Sequence, residues 1–372
     1  MENMVNQANL FSGIYQNRRV LITGHTGFKG SWLVLWLLQL GAKVAGYSLD
    51  FPSSPCNFHV CDLQRKIKHY ENDTRDLSAL KRAITEFQPE IIFHLASQPL
   101  VKKSYLEPRL TFESNLMGAI NLLECVKDAP CVKAVIMITS DKSYRNKEWA
   151  WGYREVDELG GDDPYSASKA CVEIACRSYH ASFFRDKPNL NIATTRAGNV
   201  IGGGDWADDR IVPDCVRSLS RNTPIIVRSP EATRPWQHVL EPLSGYLWLG
   251  RQLLLEPKNH DGQAYNFGPD SQVIQPVLEM VKKIIAYWGN GSLQIENNND
   301  HQKESNLLKL NCDKALHKLH WRAILDFEET IKLTVNWYRH YYFEGANLAD
   351  FSNSQIEYYI NKATNEQLAW TK

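Results

Sequence analysis

The sequence predicts a doubly wound α/β fold, a parallel sheet covered by helices on both faces with a smaller lobe after it, and three observations carry that prediction. Short apolar runs alternate with longer helical patterns from Arg19 to about Arg196, which is the arithmetic of βαβ units. The apolar runs are continuous rather than alternating, as strands buried on both faces must be. A glycine-spaced turn separates the first strand from the first helix, the arrangement of a Rossmann-type mononucleotide half.

Taken in order, "RVLIT" (19–23) is the first strand and "SWLVLWLLQL" the following helix, spanning about 30–40. That helix is apolar on all sides, which suits burial and is far too short to span a bilayer. "AKVAGYS" (42–48), "EIIFHLA" (90–96), "VKAVIMITS" (132–140) and "LNIATTR" (190–196) read as further strands, with helices expected at 77–87, 111–127 and 164–185. After Gly198 the texture turns to Gly-, Pro- and Asp-rich loops and then to a helical, aromatic C-terminal third. Residues 1–198 are therefore expected to form the nucleotide-binding domain, with a return segment near 236–262, and 199–372 mainly the second lobe. "NNND" at 297–300 reads as an exposed loop.

Forty-two Lys+Arg balance forty-two Asp+Glu, with no long block of one sign. General attraction to nucleic acid or an anionic membrane is thereby unsupported, and any anion must be met locally. Hydrophobic residues at 43% and charged residues at 23% are ordinary for a globular chain. The eight cysteines contain no C-x-x-C and no zinc-ligand spacing, so reduced thiols and no metal are expected. The N-terminal stretch is polar without an apolar h-region, and no run reaches membrane-spanning length, so a cytoplasmic location is expected.

"GHTGFKG" places Gly24, Gly27 and Gly30 at G-x-x-G-x-x-G spacing between strand and helix. Glycines let backbone N–H groups close on a pyrophosphate at the positive end of a helix. Asp50 follows the second strand, twenty residues after Gly30, with no Arg or Lys adjacent. A carboxylate there favours the ribose hydroxyls of NAD over the phosphate of NADP. "PYSASK" sets Tyr165 and Lys169 at i and i+4 on one face of a helix that begins near Pro164. An ammonium beside a phenol lowers its pKa, so the oxygen can take a proton from a sugar hydroxyl as hydride leaves the same carbon.

The strand ending "ITSDKSY" carries an acid and a base, Asp141 and Lys142, where a buried strand runs out. "HLASQP" ends another strand at the same edge, so Gln98 and Ser97 are candidates to touch cofactor or sugar, while His94 reads as a satisfied strand histidine and Asn115 as an interior helical residue. For a diphosphate, "RAGNVIGGGD" offers Asn199 and "VRSPEATRPWQHV" offers Arg228 and Arg234. Trp206 and Trp236 read as core residues.

"TGHTGFKG", "HLASQP", the hydroxyl before "DK", "YSASK" and "RAGNVIGGGDW" together resemble the extended short-chain dehydrogenase/reductase family, in its nucleotide-sugar dehydratase branch. The resemblance runs from about Arg19 beyond "NFGP" at 266–269 and implies a seven-stranded Rossmann sheet, a nucleotide-sugar lobe and a homodimer through helices of the large domain. It implies NAD held by Gly24, Thr26, Gly27, Phe28, Gly30, Asp50, Asp73, Thr74, Leu95, Ala96, Tyr165 and Lys169. It assigns Asp141 as acid for the C6 hydroxyl of a 4-keto sugar, Ser140 or Thr139 as the hydroxyl polarising the C4 oxygen, and Asn199 and Arg234 as ligand contacts. Taken whole, the set is most similar to members acting on CDP-glucose. Lys142 stands where many sugar dehydratases carry Glu. It acts as base only when neutral, at a cost of roughly 4 to 5 kcal/mol to bring its pKa near 7, or it stays charged and stabilises the C4 oxygen while another group takes the proton. Members that only epimerise C4 need no such acid-base pair.

Overall fold

Seven parallel strands lie in the order β3-β2-β1-β4-β5-β6-β7 in the computed structural model, which describes residues 7–269, 274–296, 307–345 and 347–372. They are β1 (Arg19–Thr23), β2 (Lys43–Ser48), β3 (Lys68–Glu71), β4 (Ile91–His94), β5 (Ala134–Ile138), β6 (Asn191–Arg196) and β7 (Ala264–Asn266). The five strands read from the sequence are all present. β4 and β5 are buried at every position, as strands covered on both faces must be.

Two strands escaped the sequence reading for opposite reasons. β3, "KHYE", is a half-exposed edge strand with little apolar signal. β7 is three residues long and reaches the sheet only after the chain has passed through residues 197–263, pairing in parallel with β6 from Ala264↔Thr194 to Asn266↔Arg196. The 297–300 loop lies outside the described residues.

The helices follow the sequence pattern closely. α1 (Phe28–Gln39) starts at Gly27, α2 (Leu77–Phe87) is capped by the Asp76 side chain on Ala79 N, and α3 (Gly118–Lys127) continues from a π-turn at Glu113–Met117. α4 (Pro164–Tyr179) has Pro164 in its first turn and Asp163 as a side-chain cap on Ser166 N, then runs into a π-turn to Phe184. Both caps satisfy N–H groups that the helix cannot. α2, α3 and α4 cover one face of the sheet through Leu80, Leu122, Val126 and Val172.

α5 (Ile211–Ser220), α6 (Leu240–Leu255), α7 (Phe327–Arg339) and α8 (Leu348–Asn365) follow. α6 lies against the other face of the sheet with Leu240, Leu243, Leu247 and Leu249 buried. α8 closes over α1, where Trp36 meets Tyr359 and Trp370 at ring separations of 5.9 and 6.0 Å. α1 is thus enclosed from both sides, which explains its unbroken apolar sequence. Among the described residues no helix is long and apolar enough to cross a membrane.

Because the strands are parallel, the loops after β1, β4, β5 and β6 leave from one edge of the sheet. Chain order reverses between β1 and β4, so a crevice opens there, the usual ligand position of an open α/β sheet.

Candidate active site

The glycine turn fills one wall of that crevice. Gly24 has a φ of +75°, and a Cβ on it would sit 2.7 Å from Ala96 N. A Cβ on Gly30 would sit 2.2 Å from Gly24 O. Only glycine at both positions lets the turn, the β4 end and the first turn of α1 pack together, which leaves the α1 N-terminus facing the crevice. Thr26 Oγ1 donates to Asp50 O at 2.7 Å and ties the turn to the end of β2, where the Asp50 carboxyl is exposed. Residues 24–30, Asp50 and the Leu95–Ala96 segment therefore surround one space, and this cradle fits a dinucleotide.

Asp73 and Thr74 stand beyond β3. The Asp73 carboxylate accepts from Arg75 N at 2.8 Å and from the Arg75 guanidinium at 2.6 and 2.8 Å. Thr74 is buried where Gly118 comes close enough that a Cβ there would lie 2.6 Å from its Oγ1.

His25 occupies the middle of the glycine turn. Its Nδ1 bonds Ser48 Oγ at 2.9 Å and its Nε2 bonds His69 Nδ1 at 2.7 Å. Burial, helped by His69, pushes it down to about 3, so it is neutral. His94 is likewise a satisfied strand histidine, bonded to Thr23 Oγ1 at 2.7 Å and pushed by burial to about 3.

The chemistry-bearing residues meet at the ends of β5 and β6 and the start of α4. Asp141 opens a single 3-10 turn, Asp141–Ser143, and is buried. Its Oδ1 accepts from Ser140 Oγ and from Lys142 N, both at 2.9 Å. Its Oδ2 lies in a notch made by Gly198, where a Cβ would be 1.8 Å away. Any residue other than glycine at 198 would expel the carboxylate. The Ser140 hydroxyl and the Asp141 carboxylate both lie within electrostatic reach of the Tyr165 phenol. Ser140, Asp141, Tyr165 and Lys169 thus share one buried pocket.

The expectation that Lys169 lowers the Tyr165 pKa is corrected by this geometry. Burial pushes the phenol up to about 12. Lys169 Nζ lies 3.5 Å from Ile138 O. Burial, reinforced by the Lys29 charge and opposed by Glu173, pushes Lys169 down to about 7. In so dry a pocket desolvation is the largest influence on each group.

Two residues not singled out in the sequence join the pocket. Lys29, inside the glycine turn, is pushed down to about 8 by burial and by Arg210, with Asp141 opposing. Arg210, just before α5, bonds Asp205 Oδ2 at 2.7 Å and lies within electrostatic reach of Tyr165. A lysine amid glycines before a wholly apolar helix was the available signal for the first. Arg210 sits in a polar loop, and only the fold brings it here. Lys142, next to Asp141 in the chain, is half-buried.

Other sequence candidates are placed differently. Gln98 bonds within its own turn: Nε2 donates to Leu100 O and Thr111 Oγ1, each at 3.0 Å, and Oε1 accepts from Leu100 N at 2.6 Å. It shapes the loop after β4. Asn115 clasps that loop, with Oδ1 on Gln98 N at 2.6 Å and Nδ2 on Ser168 Oγ at 2.9 Å. Asn199 takes a φ of +52° between β6 and a short strand Val200–Ile201. Arg234 bonds Thr233 O at 2.9 Å. Arg228 is exposed, 3.9 Å from Glu296, and is not gathered with the Asp141 pocket. Trp206 and Trp236 are buried, Trp206 against Trp337 and Tyr341.

A doubly wound sheet with a glycine cradle and a Tyr-Lys helix beside a Ser-Asp-Lys strand end defines a protein of the extended short-chain dehydrogenase/reductase class. The sequence profile of the GDP-mannose 4,6 dehydratase family matches residues 21–334, and the chain belongs to that family. It is 43% identical over 354 residues to the CDP-glucose 4,6-dehydratase of Salmonella typhimurium, covering 94% of this chain and 98% of that protein. It is 26% identical to the rice UDP-glucose 4-epimerase 1, covering 86% and 94%. Among solved structures, the dTDP-glucose 4,6-dehydratase DesIV of Streptomyces venezuelae, with NAD bound, superposes with a TM-score of 0.73 at 24% identity, over 87% of this chain and 97% of that one.

Proposed function

We propose that this chain is a CDP-glucose 4,6-dehydratase, converting CDP-glucose to CDP-4-keto-6-deoxyglucose and water, with NAD as a cofactor that is regenerated in each turnover. The observation that carries the reading is the Asp141 carboxyl, notched against Gly198 beside Ser140 and Tyr165, since an epimerase has no use for an acid there. The 43% identity along almost the whole of both chains supports the choice of nucleotide sugar.

NAD, held by the 24–30 turn, Asp50, Asp73, Thr74 and Leu95–Ala96, supplies hydride acceptance from C4 and hydride return to C6. The chain's own residues do the rest. A positive nicotinamide ring would oppose the burial that holds the Tyr165 phenol up, so that its ionised oxygen takes the C4 hydroxyl proton with Ser140 beside it. The 4-ketone acidifies the C5 hydrogen, which Lys142 removes, or whose removal it assists by stabilising the C4 oxygen, and C5 takes a proton back as hydride returns to C6. Asp141, fixed by the bonds from Ser140 and the Lys142 amide, gives a proton to the departing C6 oxygen. Asn199 and Arg234, from the 199–372 lobe, meet the diphosphate.

Met117, Ile174 and Phe183 expose apolar surface on or beside α3 and α4, and this supports a homodimer through those helices; a monomer mass in light scattering would remove it.

The deciding experiment compares CDP-, dTDP-, UDP- and GDP-glucose side by side. A 4-keto product from CDP-glucose, formed with no net change at the nicotinamide band, is expected. A stoichiometric absorbance change would instead indicate a reductase, and a 4-epimer an epimerase.

A further inference from the structure

Behind the pocket lies an ion pair that no step of the reaction uses. Glu173 and Arg196 are each 3% exposed and 2.9 Å apart. Charges so buried persist only when their other hydrogen-bonding positions are filled. Glu173 accepts from the Thr139 hydroxyl, from Thr194 Oγ1 at 2.7 Å, and from Arg196 Nε and Nη2 at 3.0 and 2.9 Å. Arg196 Nη1 donates to the Tyr144 hydroxyl at 2.7 Å, and its guanidinium lies 4.7 Å from the Tyr144 ring centre. Tyr144 donates in turn to Asn266 Oδ1 at 2.8 Å. Asn266 Nδ2 donates to Tyr153 O and Asn311 O at 2.8 and 3.0 Å.

The network therefore runs without a break from α4, through β6, to the residue that closes the Asp141 turn, and on to β7 and the 310–311 segment. Its ends coincide with the working parts. Glu173 is one helical turn beyond Lys169 and eight residues beyond Tyr165. Thr139 precedes Ser140, and Tyr144 N donates to Asp141 O at 3.2 Å. Tyr165 has its own anchor in the Asp163 cap and the rigid Pro164. Asp141 rides on three residues, so the far side of its turn depends on Tyr144.

We propose that Tyr144 and Arg196 are positioning residues that hold the Asp141 turn in register with the Tyr165 helix, and that they govern loss of water more than oxidation at C4. The inference rests on the dehydratase reading. A shift of about 1 Å in an acid costs on the order of 100-fold in its step, whereas a phenol anchored elsewhere keeps its place.

Tyr144→Phe removes one hydroxyl and keeps the ring over Arg196. With CDP-glucose in D2O, we expect formation of the 4-keto-6-deoxy sugar to fall about 10-fold or more, while deuterium exchange at C5 per product formed rises by a similar factor. Arg196→Lys should move the ratio the same way, because lysine cannot reproduce the fork. A merely structural role predicts that both fall together through a smaller active fraction, and a constant ratio or unaltered turnover overturns the proposal. Should Tyr144→Phe fail to fold, Asn266→Ser removes the Tyr144 acceptor from the far side and carries the same expectation. An unsubstituted chain that neither exchanges C5 nor eliminates water refutes the dehydratase reading itself, a result separable from either outcome above.

Discussion

Two turns of α4 are equally dry and carry opposite electrostatic arrangements. At the rear, Glu173 is matched by Arg196 and by two threonine hydroxyls. At the front, Lys169 faces another cation, Lys29, and is pushed down to about 7, while Tyr165 is pushed up to about 12. Matched charge in a low-dielectric interior fixes geometry, because no member can move without stranding another. Unmatched charge brings Lys169 near the range in which it can exchange a proton, at a cost in stability. The rear of the helix is built for position and the front for chemistry.

That contrast is broken most severely from the front. Asp141→Asn keeps the shape and the bonds from Ser140 and Lys142 N but removes the proton for the C6 oxygen. Water loss should slow by about 10² to 10⁴-fold while C5 exchange continues, as followed by product assay and mass spectrometry in D2O. Gly198→Ala should give the same phenotype without altering the carboxyl itself, since the added methyl would occupy the Oδ2 site. Elimination unaltered in both variants would remove Asp141 from its role.

Breaking the rear should be felt in stability. Arg196→Met strands the Glu173 carboxylate and is expected to cost about 3 to 5 kcal/mol, read from urea denaturation. Adding Glu173→Gln should recover much of that loss, because the buried charge goes with its partner. A single variant as stable as the parent would show that the pair is not the constraint described.

The smallest effect sharpens the comparison through pH. The folded value for Lys169, about 7, lies below the ordinary lysine value of 10.5. Between these limits the unfolded chain binds a proton that the folded chain does not, so stability rises with pH across that window. Lys29, at about 8, adds the same sign between 8 and 10.5. Thermal unfolding midpoints should therefore gain more between pH 7 and 9 in the parent than in Lys169→Met, and equal slopes would contradict the unmatched front.

The parts of this molecule that could be read in advance are those encoded within a few residues of one another. Gly24, Gly27 and Gly30 announce a cradle because their spacing alone meets the need for a tight turn before a helix. Tyr165 and Lys169 share a helix face because i and i+4 always do. Arg210 and Lys29 were hidden because their relevance depends on meeting across 181 positions of sequence. That the Gln98 amide is bonded within its own turn is a local competition that a residue type does not reveal.

The amino-acid sequence by itself determined the strand-helix alternation, the glycine turn, the caps at Asp76 and Asp163 and the chemistry available at the end of β5, all through short-range sterics and hydrophobic periodicity. Tertiary structure alone decided which groups are dry and which charges are matched. Desolvation and Coulomb attraction depend on neighbours brought from β6, β7 and α5, and those neighbours set whether a lysine remains charged, a phenol keeps its proton, or a carboxyl stays where the reaction needs it.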